Sequence, residues 1–170
     1  WVKHENHTPI GAFKVRGGVT FMNDFAQRGG DSGIITATRG NHGQSIGFAA
    51  RAAGVEATIV VPEGNSKEKN AAMAALGVRL VVHGQDFDEA REFADATAAE
   101  EGLSFVPSFH PLLINGVASY SLEFLGAVPD LDAVYVLIGL GSGICGMIAA
   151  REALLCAGAD DVSVRGEPAT

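Results

Sequence analysis

The sequence predicts an α/β fold in three layers, a parallel sheet flanked by helices. Three observations predict it. Short β-branched runs alternate with helix-length amphipathic stretches. Strand starts near positions 34, 57 and 79 recur at the interval of successive βα units. Glycine or a capping residue marks most of the junctions. Right-handed crossovers between such strands cover both faces of the sheet with helices.

Each element follows from its residues. Gly33-Ile34-Ile35-Thr36-Ala37 is β-branched and opened by glycine, so it reads as a strand. A Gly-Asn-His-Gly turn follows it. Residues 44–53 then read as a helix stopped by Gly54. Residues 57–61 form the next strand, ended by Pro62. Asn65 with Glu68 resembles a capping box opening a helix over 66–76, which Gly77 closes. Residues 79–82 are a third strand. Residues 86–101 form a charged helix with Phe87, Ala90, Phe93 and Ala94 on one face. A short strand covers 103–106. A helix covers 112–126 and is weakened near its start by Gly116. Residues 133–138 are almost wholly apolar, the pattern of a strand covered on both faces. A glycine-rich turn and a helix to about Cys156 follow, and a further strand begins at Val162 and runs towards Thr170.

Composition excludes several classes of function. The chain has 170 residues, a net charge of -8, 47% hydrophobic and 19% charged residues. That is globular rather than disordered. The acid excess argues against a nucleic-acid binder, and no apolar run approaches the roughly 20 residues of a membrane span. The 22 glycines lack a collagen period and must serve turns and close approaches. Cys145 and Cys156 have neither a metal nor a disulfide spacing and read as reduced, near-core residues. No metal is expected. No signal peptide is legible, so the expected location is the cytoplasm. The start at Trp1 and the ending at Thr170 suggest an internal piece of a longer chain.

Three segments can carry chemistry. Gly139-Leu140-Gly141-Ser142-Gly143 follows the apolar strand and opens a helix. Unpaired amides and the helix dipole make such a turn an anion seat, phosphate above all, and tight strand–helix packing is the alternative. It is neither a Walker loop nor the dinucleotide fingerprint. Thr38-Arg39-Gly40-Asn41-His42-Gly43-Gln44 is a second strand–turn–helix anion seat, suited to a carboxylate, or simply a helix cap. His42 taken singly reads more readily as a capping or packing histidine than as a catalytic base. Lys14, flanked by Phe13 and Val15 among small residues, is either a desolvated amine nucleophile or a snorkelling lysine at a helix start. Together the three supply what a pyridoxal phosphate site requires: an amine, a phosphate cup and a carboxylate cradle.

The motifs carry a specific resemblance. Lys3-His4-Glu5-Asn6-His7-Thr8-Pro9-Ile10-Gly11-Ala12-Phe13-Lys14-Val15-Arg16-Gly17 resembles the pattern K-x-E-x-x-x-P-T-G-S-F-K-x-R-G of fold-type II pyridoxal phosphate enzymes, in their serine/threonine dehydratase branch. Gly40-Asn41-His42 with Gln44 resembles the S-x-G-N-H-x-Q loop, and residues 139–143 resemble the tetraglycine loop. Phe109-His110, residues 116–119 and Glu123 also fall where that family has its motifs. The resemblance implies a tryptophan synthase β-subunit-like fold and pyridoxal 5'-phosphate as cofactor. Lys14 would hold the cofactor and move the substrate α-proton. Phe13 would pack near its ring, and Asn41 would hydrogen-bond its phenolic oxygen. The amides of Gly139, Leu140, Gly141, Ser142 and Gly143 would take its phosphate. Thr38, Arg39, Gly40, Asn41 and His42 would line the substrate carboxylate site.

Several departures bear on specificity. Ala12 stands where the family has Ser, Thr38-Arg39 where it has Ser-Ala or similar, and Leu140 and Ser142 interrupt the glycine run. Arg39 could recognise a second carboxylate or point to solvent. The resemblance implies residues 1–18 and 129–170 as parts of a large cofactor domain and 19–128 as the small domain. The residue facing the pyridine nitrogen is expected beyond Thr170. The implied activity is β-elimination from L-threonine or L-serine to a 2-oxo acid and ammonia. A 3-hydroxyaspartate dehydratase, a β-replacement enzyme like cysteine synthase, a racemase and a non-catalytic amino-acid-binding module are the alternatives. A homodimer of the full-length protein is expected, with no nucleic-acid or membrane partner.

Overall fold

The computed structural model describes residues 1–30, 32–128, 130–158 and 161–168. A four-stranded parallel sheet is built from β1 (Ile34–Ala37), β2 (Ala57–Val61), β3 (Arg79–Val82) and β4 (Ser104–Phe105), in the order β3-β2-β1-β4. A two-stranded parallel pair joins β5 (Ala133–Ile138) to β6 (Ser163–Pro168). The helices are α1 (Lys14–Gln27), α2 (Asn41–Ala53), α3 (Lys67–Ala74), α4 (Phe87–Glu101), α5 (Pro111–Ala127) and α6 (Ser142–Cys156).

Period-two alternation in the central strands divides the core. Ile34 and Ala57 face α1 and α2 through Met22, Ile46, Ala49 and Ala50. Ile59 and Val61 face Met73 of α3. Ile35, Ala37 and Val60 turn the other way onto Ala90, Ala94 and Ala98 of α4. The small α4 residues let that helix sit close to the strands. Each fully buried isoleucine contributes about 1.5–3 kcal/mol, so both faces are needed. The chain leaves β1 towards β2 and β3 and returns to place β4 on the other side. A crevice therefore opens at the carboxyl ends of β1 and β4, where open α/β sheets bind ligands.

Close helix crossings depend on glycine at one junction. A Cβ on Gly17 would lie 2.6 Å from the Leu113 carbonyl oxygen, so α1 and α5 meet backbone to backbone. Gly116, which read as a weakness in α5, faces Arg16, Gly17 and Thr20 at the same crossing. Gly17→Ala is expected to destabilise by about 1–3 kcal/mol through overpacking, read as a lower urea midpoint.

Four local expectations are corrected. Helix α2 begins at Asn41, so Asn41 and His42 are its first turn rather than the loop before it. Ser66, not Asn65, caps α3 by accepting from the Lys69 amide, while Asn65 Nδ2 donates to Asn70 Oδ1 at 2.6 Å. Strand β5 is covered on one face only: Val134 and Val136 are buried, whereas Tyr135 and Leu137 are 61% and 69% exposed. Its apolar composition therefore does not report two covered faces here. Cys156 is exposed at the end of α6, and only Cys145 is partly buried. The expected strand continuation at Ala169 and Thr170 and the domain limit at Pro129 lie outside the described residues.

Candidate active site

Lys14 is the first residue of α1, where no side chain caps the helix. The Ser45 hydroxyl of α2 donates to its carbonyl at 2.5 Å, which ties the start of α1 to α2. The amine side chain is partly buried, and burial lowers its pKa from the ordinary lysine value. A cavity of about 10 Å³ is lined by Lys14, His42, Ser108 and Ser142, with Leu113 and Val117 as apolar wall. The amine, the second anion seat and the glycine-rich turn therefore converge on one gap, from α1, α2, α6 and the stretch after β4.

His42 is buried, and its protonation is determined by its partners. The Thr36 hydroxyl lies 3.0 Å from His42 Nε2 and donates its own proton to the Val106 carbonyl at 2.6 Å. A hydroxyl has one proton, so Thr36 must accept from His42. The imidazole therefore carries its hydrogen on Nε2 and leaves Nδ1 as an acceptor. Burial, then the nearby Lys14 charge, pushes its pKa down to about 3. A depressed histidine pKa means that the unfolded state, with a value near 6.5, binds the proton that the native state refuses. Stability present above 6.5 is lost as pH falls towards 3, at up to about 1.4 kcal/mol per pH unit. His42→Gln is expected to flatten that slope by one proton, measured as urea midpoints between pH 7 and 5.

The glycine-rich turn has the geometry of an anion seat. Gly141, at φ 97°, is the N-cap of α6, and no side chain caps that end. The first-turn amides, Ser142 and Gly143 among them, have no intrahelical partner. Leu140 is exposed, so its side chain does not fill the turn. Nothing lies within 4 Å of where a Cβ on Gly139 would stand. Phe13 packs against Tyr120, with ring centroids 5.6 Å apart, and comes within 3.3 Å of the Cβ position of Gly143. It thus joins the lysine segment to the turn.

The other seat is used differently from the expectation. Thr38 is buried, and its hydroxyl accepts from the amides of Gly40 (3.0 Å) and Gly43 (3.2 Å), so it closes its own turn. That leaves the amides of Asn41 and His42 as the open donors. Asn41 and Arg39 are exposed and do not line the gap around Lys14. Sequence reasoning missed Thr36, Ser108 and the Ser45 contact. A threonine in an otherwise apolar strand and a serine just past β4 were the available signals, once the crevice between β1 and β4 was known.

A charged cluster anchors the segment before Lys14. Arg16 forks onto Glu5, with Nε to Oε2 at 2.8 Å and Nη2 to Oε1 at 3.0 Å. It also donates to both oxygens of Glu123 and to the Ser119 hydroxyl. Lys3 bridges Glu123 at 2.7 Å and Glu5 at 3.2 Å. His110 has a structural part in the same region: it caps α5 by accepting from the Leu112 amide through Nδ1.

A family model described as pyridoxal-phosphate dependent enzyme matches residues 1–166. The chain belongs to this family. It is 35% identical to the biosynthetic L-threonine dehydratase IlvA of Haemophilus influenzae over 150 residues, which are 88% of this chain and 29% of that protein. Its fold matches the processed threonine deaminase isoform 2 of Solanum lycopersicum with a TM-score of 0.87 at 29% identity, over 97% of this chain and 47% of that one. It also matches a pyridoxal 5'-phosphate-dependent aspartate racemase with a TM-score of 0.81 at 26% identity, over 92% and 46%. The architecture is that of the fold-type II enzymes. The chain spans less than a third of the dehydratase it matches and about half of each of these solved structures.

The donor set fits the family's cofactor. A partly desolvated amine faces the same gap as an uncapped helix start whose glycines leave the amides open. The gap itself has the volume of one water, so a pyridine ring requires its walls to part. A larger cavity, about 760 Å³, lies at the opposite end of the sheet beside Arg51, Arg79 and Glu101. It receives the carboxyl ends of α2 and α3, whose dipoles disfavour an anion, and none of the residues above reaches it. Among the described residues no helix is long and apolar enough to cross a membrane, and no group of three His, Cys, Asp or Glu side chains could hold a metal.

Proposed function

We propose that the protein catalyses dehydration and deamination of a β-hydroxy amino acid, L-threonine or L-serine, to a 2-oxo acid and ammonia. The observation that carries this reading is the convergence of Lys14, His42 and Ser142 on one gap, in a chain 35% identical to a threonine dehydratase. Lys14 would hold pyridoxal phosphate through Nζ, the amides of 139–143 its phosphate and Phe13 its ring, with the Asn41 side chain, exposed here, turning in to the phenolic oxygen. When bound, that group supplies an electron sink that acidifies the substrate Cα proton.

The chain's own residues do the rest. The Asn41 and His42 amides seat the substrate carboxylate at the start of α2. Burial raises the neutral fraction of Lys14, so Nζ can accept the Cα proton, which departs with the β-hydroxyl as water. His42, held neutral, adds no second positive charge beside that amine. One water leaves on elimination and one is consumed when the enamine hydrolyses, so the net products are the oxo acid and ammonia.

The division into 1–18, 19–128 and 129–170 is proposed on the same footing, supported by the separate two- and four-stranded sheets. Helix α5 is shared, since Leu113 packs with the larger sheet and Val117, Tyr120 and Leu125 with the smaller. A cytoplasmic homodimer is part of the proposal.

An oxo-acid assay of the full-length, cofactor-loaded protein with threonine and serine tests the reading. Stoichiometric ammonia and oxo acid are expected. Loss of optical activity without ammonia would instead support racemisation, the second reading, which the aspartate racemase match favours.

A further inference from the structure

A tyrosine hydroxyl reaches the start of α6 from the neighbouring helix. Tyr120 lies on α5, which packs along α6, and is 8% exposed. Its ring rests on Phe13, and its Oη lies 3.7 Å from where a Cβ on Gly143 would stand. Gly143 belongs to the first turn of α6, so the hydroxyl comes to the same turn whose amides lack an intrahelical partner. The α5 side chains around it that form hydrogen bonds are Ser119 and Glu123, both in the Arg16 cluster. Among the described residues Tyr120 Oη forms none. The Ser121 hydroxyl is near it, but that oxygen is also buried without a partner, so the two hydroxyls do not satisfy each other.

A buried hydroxyl without a partner costs stability, and folded proteins pair such groups with protein, water or ligand. The chemistry of the neighbours says which. The first turn of α6 offers donors only, at the positive end of a helix dipole. Residues 139–143 include no lysine or arginine, so an anion seated there has amides and hydroxyls as its partners. Burial pushes the Tyr120 pKa up, so the phenol keeps its proton and donates to an anion instead of repelling it. A phosphate ester brings three acceptor oxygens, enough for the amides of one turn and a further donor beside them. We propose that Tyr120 Oη donates to the phosphate of the ligand seated on the α6 turn, as a side-chain donor from outside the glycine-rich segment. The inference rests on the reading that gives this turn the cofactor phosphate, and it adds to that seat a residue from α5.

The test uses the full-length protein and Tyr120→Phe, which removes one oxygen and keeps the ring on Phe13. The Kd for pyridoxal phosphate, from an absorbance titration, is expected to rise about tenfold, the effect of losing one hydrogen bond to a charged group. Pyridoxal, which lacks the phosphate, should bind both forms alike. Inorganic phosphate supplies a readout independent of cofactor and turnover: it should raise the melting temperature of the wild type more than that of Tyr120→Phe. Ser121→Ala should leave all three measurements unchanged. An unaltered Kd for pyridoxal phosphate in Tyr120→Phe would overturn the inference. So would an equal loss for pyridoxal, which would reduce the tyrosine to packing beside Phe13, and so would an equal loss in Ser121→Ala. If the wild type prefers pyridoxal phosphate to pyridoxal but turns over no amino acid, the elimination reading fails, and the Kd comparison still decides this one. If the phosphate gives the wild type no advantage over pyridoxal, the seat itself fails and the inference with it.

Discussion

Lys14→Ala is expected to abolish covalent attachment of the cofactor and to lower turnover by about 10⁴-fold or more, since the proposed function gives one group both roles, tether and base. The residue lines the gap shared with His42 and Ser142, and no other lysine does. Removing it takes away a partly desolvated amine and not a packing anchor, so the fold should survive. The check is the visible absorbance of the loaded full-length protein after gel filtration, with a melting curve alongside. A variant that keeps the attached absorbance would place the tether elsewhere.

Arg16→Met is expected to produce the largest loss of stability, about 2–3 kcal/mol, or roughly 5–10 °C in melting temperature. The guanidinium spans two carboxylates and a hydroxyl, and its removal leaves Glu5, only 12% exposed at its side chain, short of its fork partner. Glu123→Gln should cost far less, because that carboxylate is half exposed and water replaces what it loses. Hydrogen bonds from Arg16, then from Lys3, hold the Glu123 carboxyl at about 2. Its contribution is thus present above the ordinary carboxylate range and fades as pH drops towards that value. The cluster ties the segment before Lys14 to α5, so cofactor retention in Arg16→Met should fall together with stability. A variant as stable as wild type would show that solvent already screens the fork.

The elements were legible because their signals are local. The β-branched runs at 34–37, 57–61 and 79–82 coincide with β1, β2 and β3. Asp86 reads as the start of α4 because its carboxylate accepts from the amides of Asp88 and Glu89, a contact within one turn. Errors fell where a local pattern has two outcomes. Gly40-Asn41-His42 suits a loop as well as a first helical turn, and only the Thr38 hydroxyl on the Gly43 amide decides for the helix. Asn65 and Ser66 are both capping residues, and the Lys69 amide selected the second. For β5, apolar residues on both faces say that each can be covered, not that each is.

What the sequence by itself determined is the α/β order, the strands of the central sheet, the family motifs and the lysine to which the proposed chemistry is assigned. These depend on propensity, periodicity and residue identity over a few positions, and such information is carried along the chain. Only the tertiary structure decided which groups meet: Thr36 with His42 and Val106, Arg16 with Glu5 and Glu123, Lys69 across Gly40. Those contacts join elements far apart in sequence. Their geometry follows from how closely glycines let helices cross and from the order in which parallel strands lie side by side, and no short window of residues contains either.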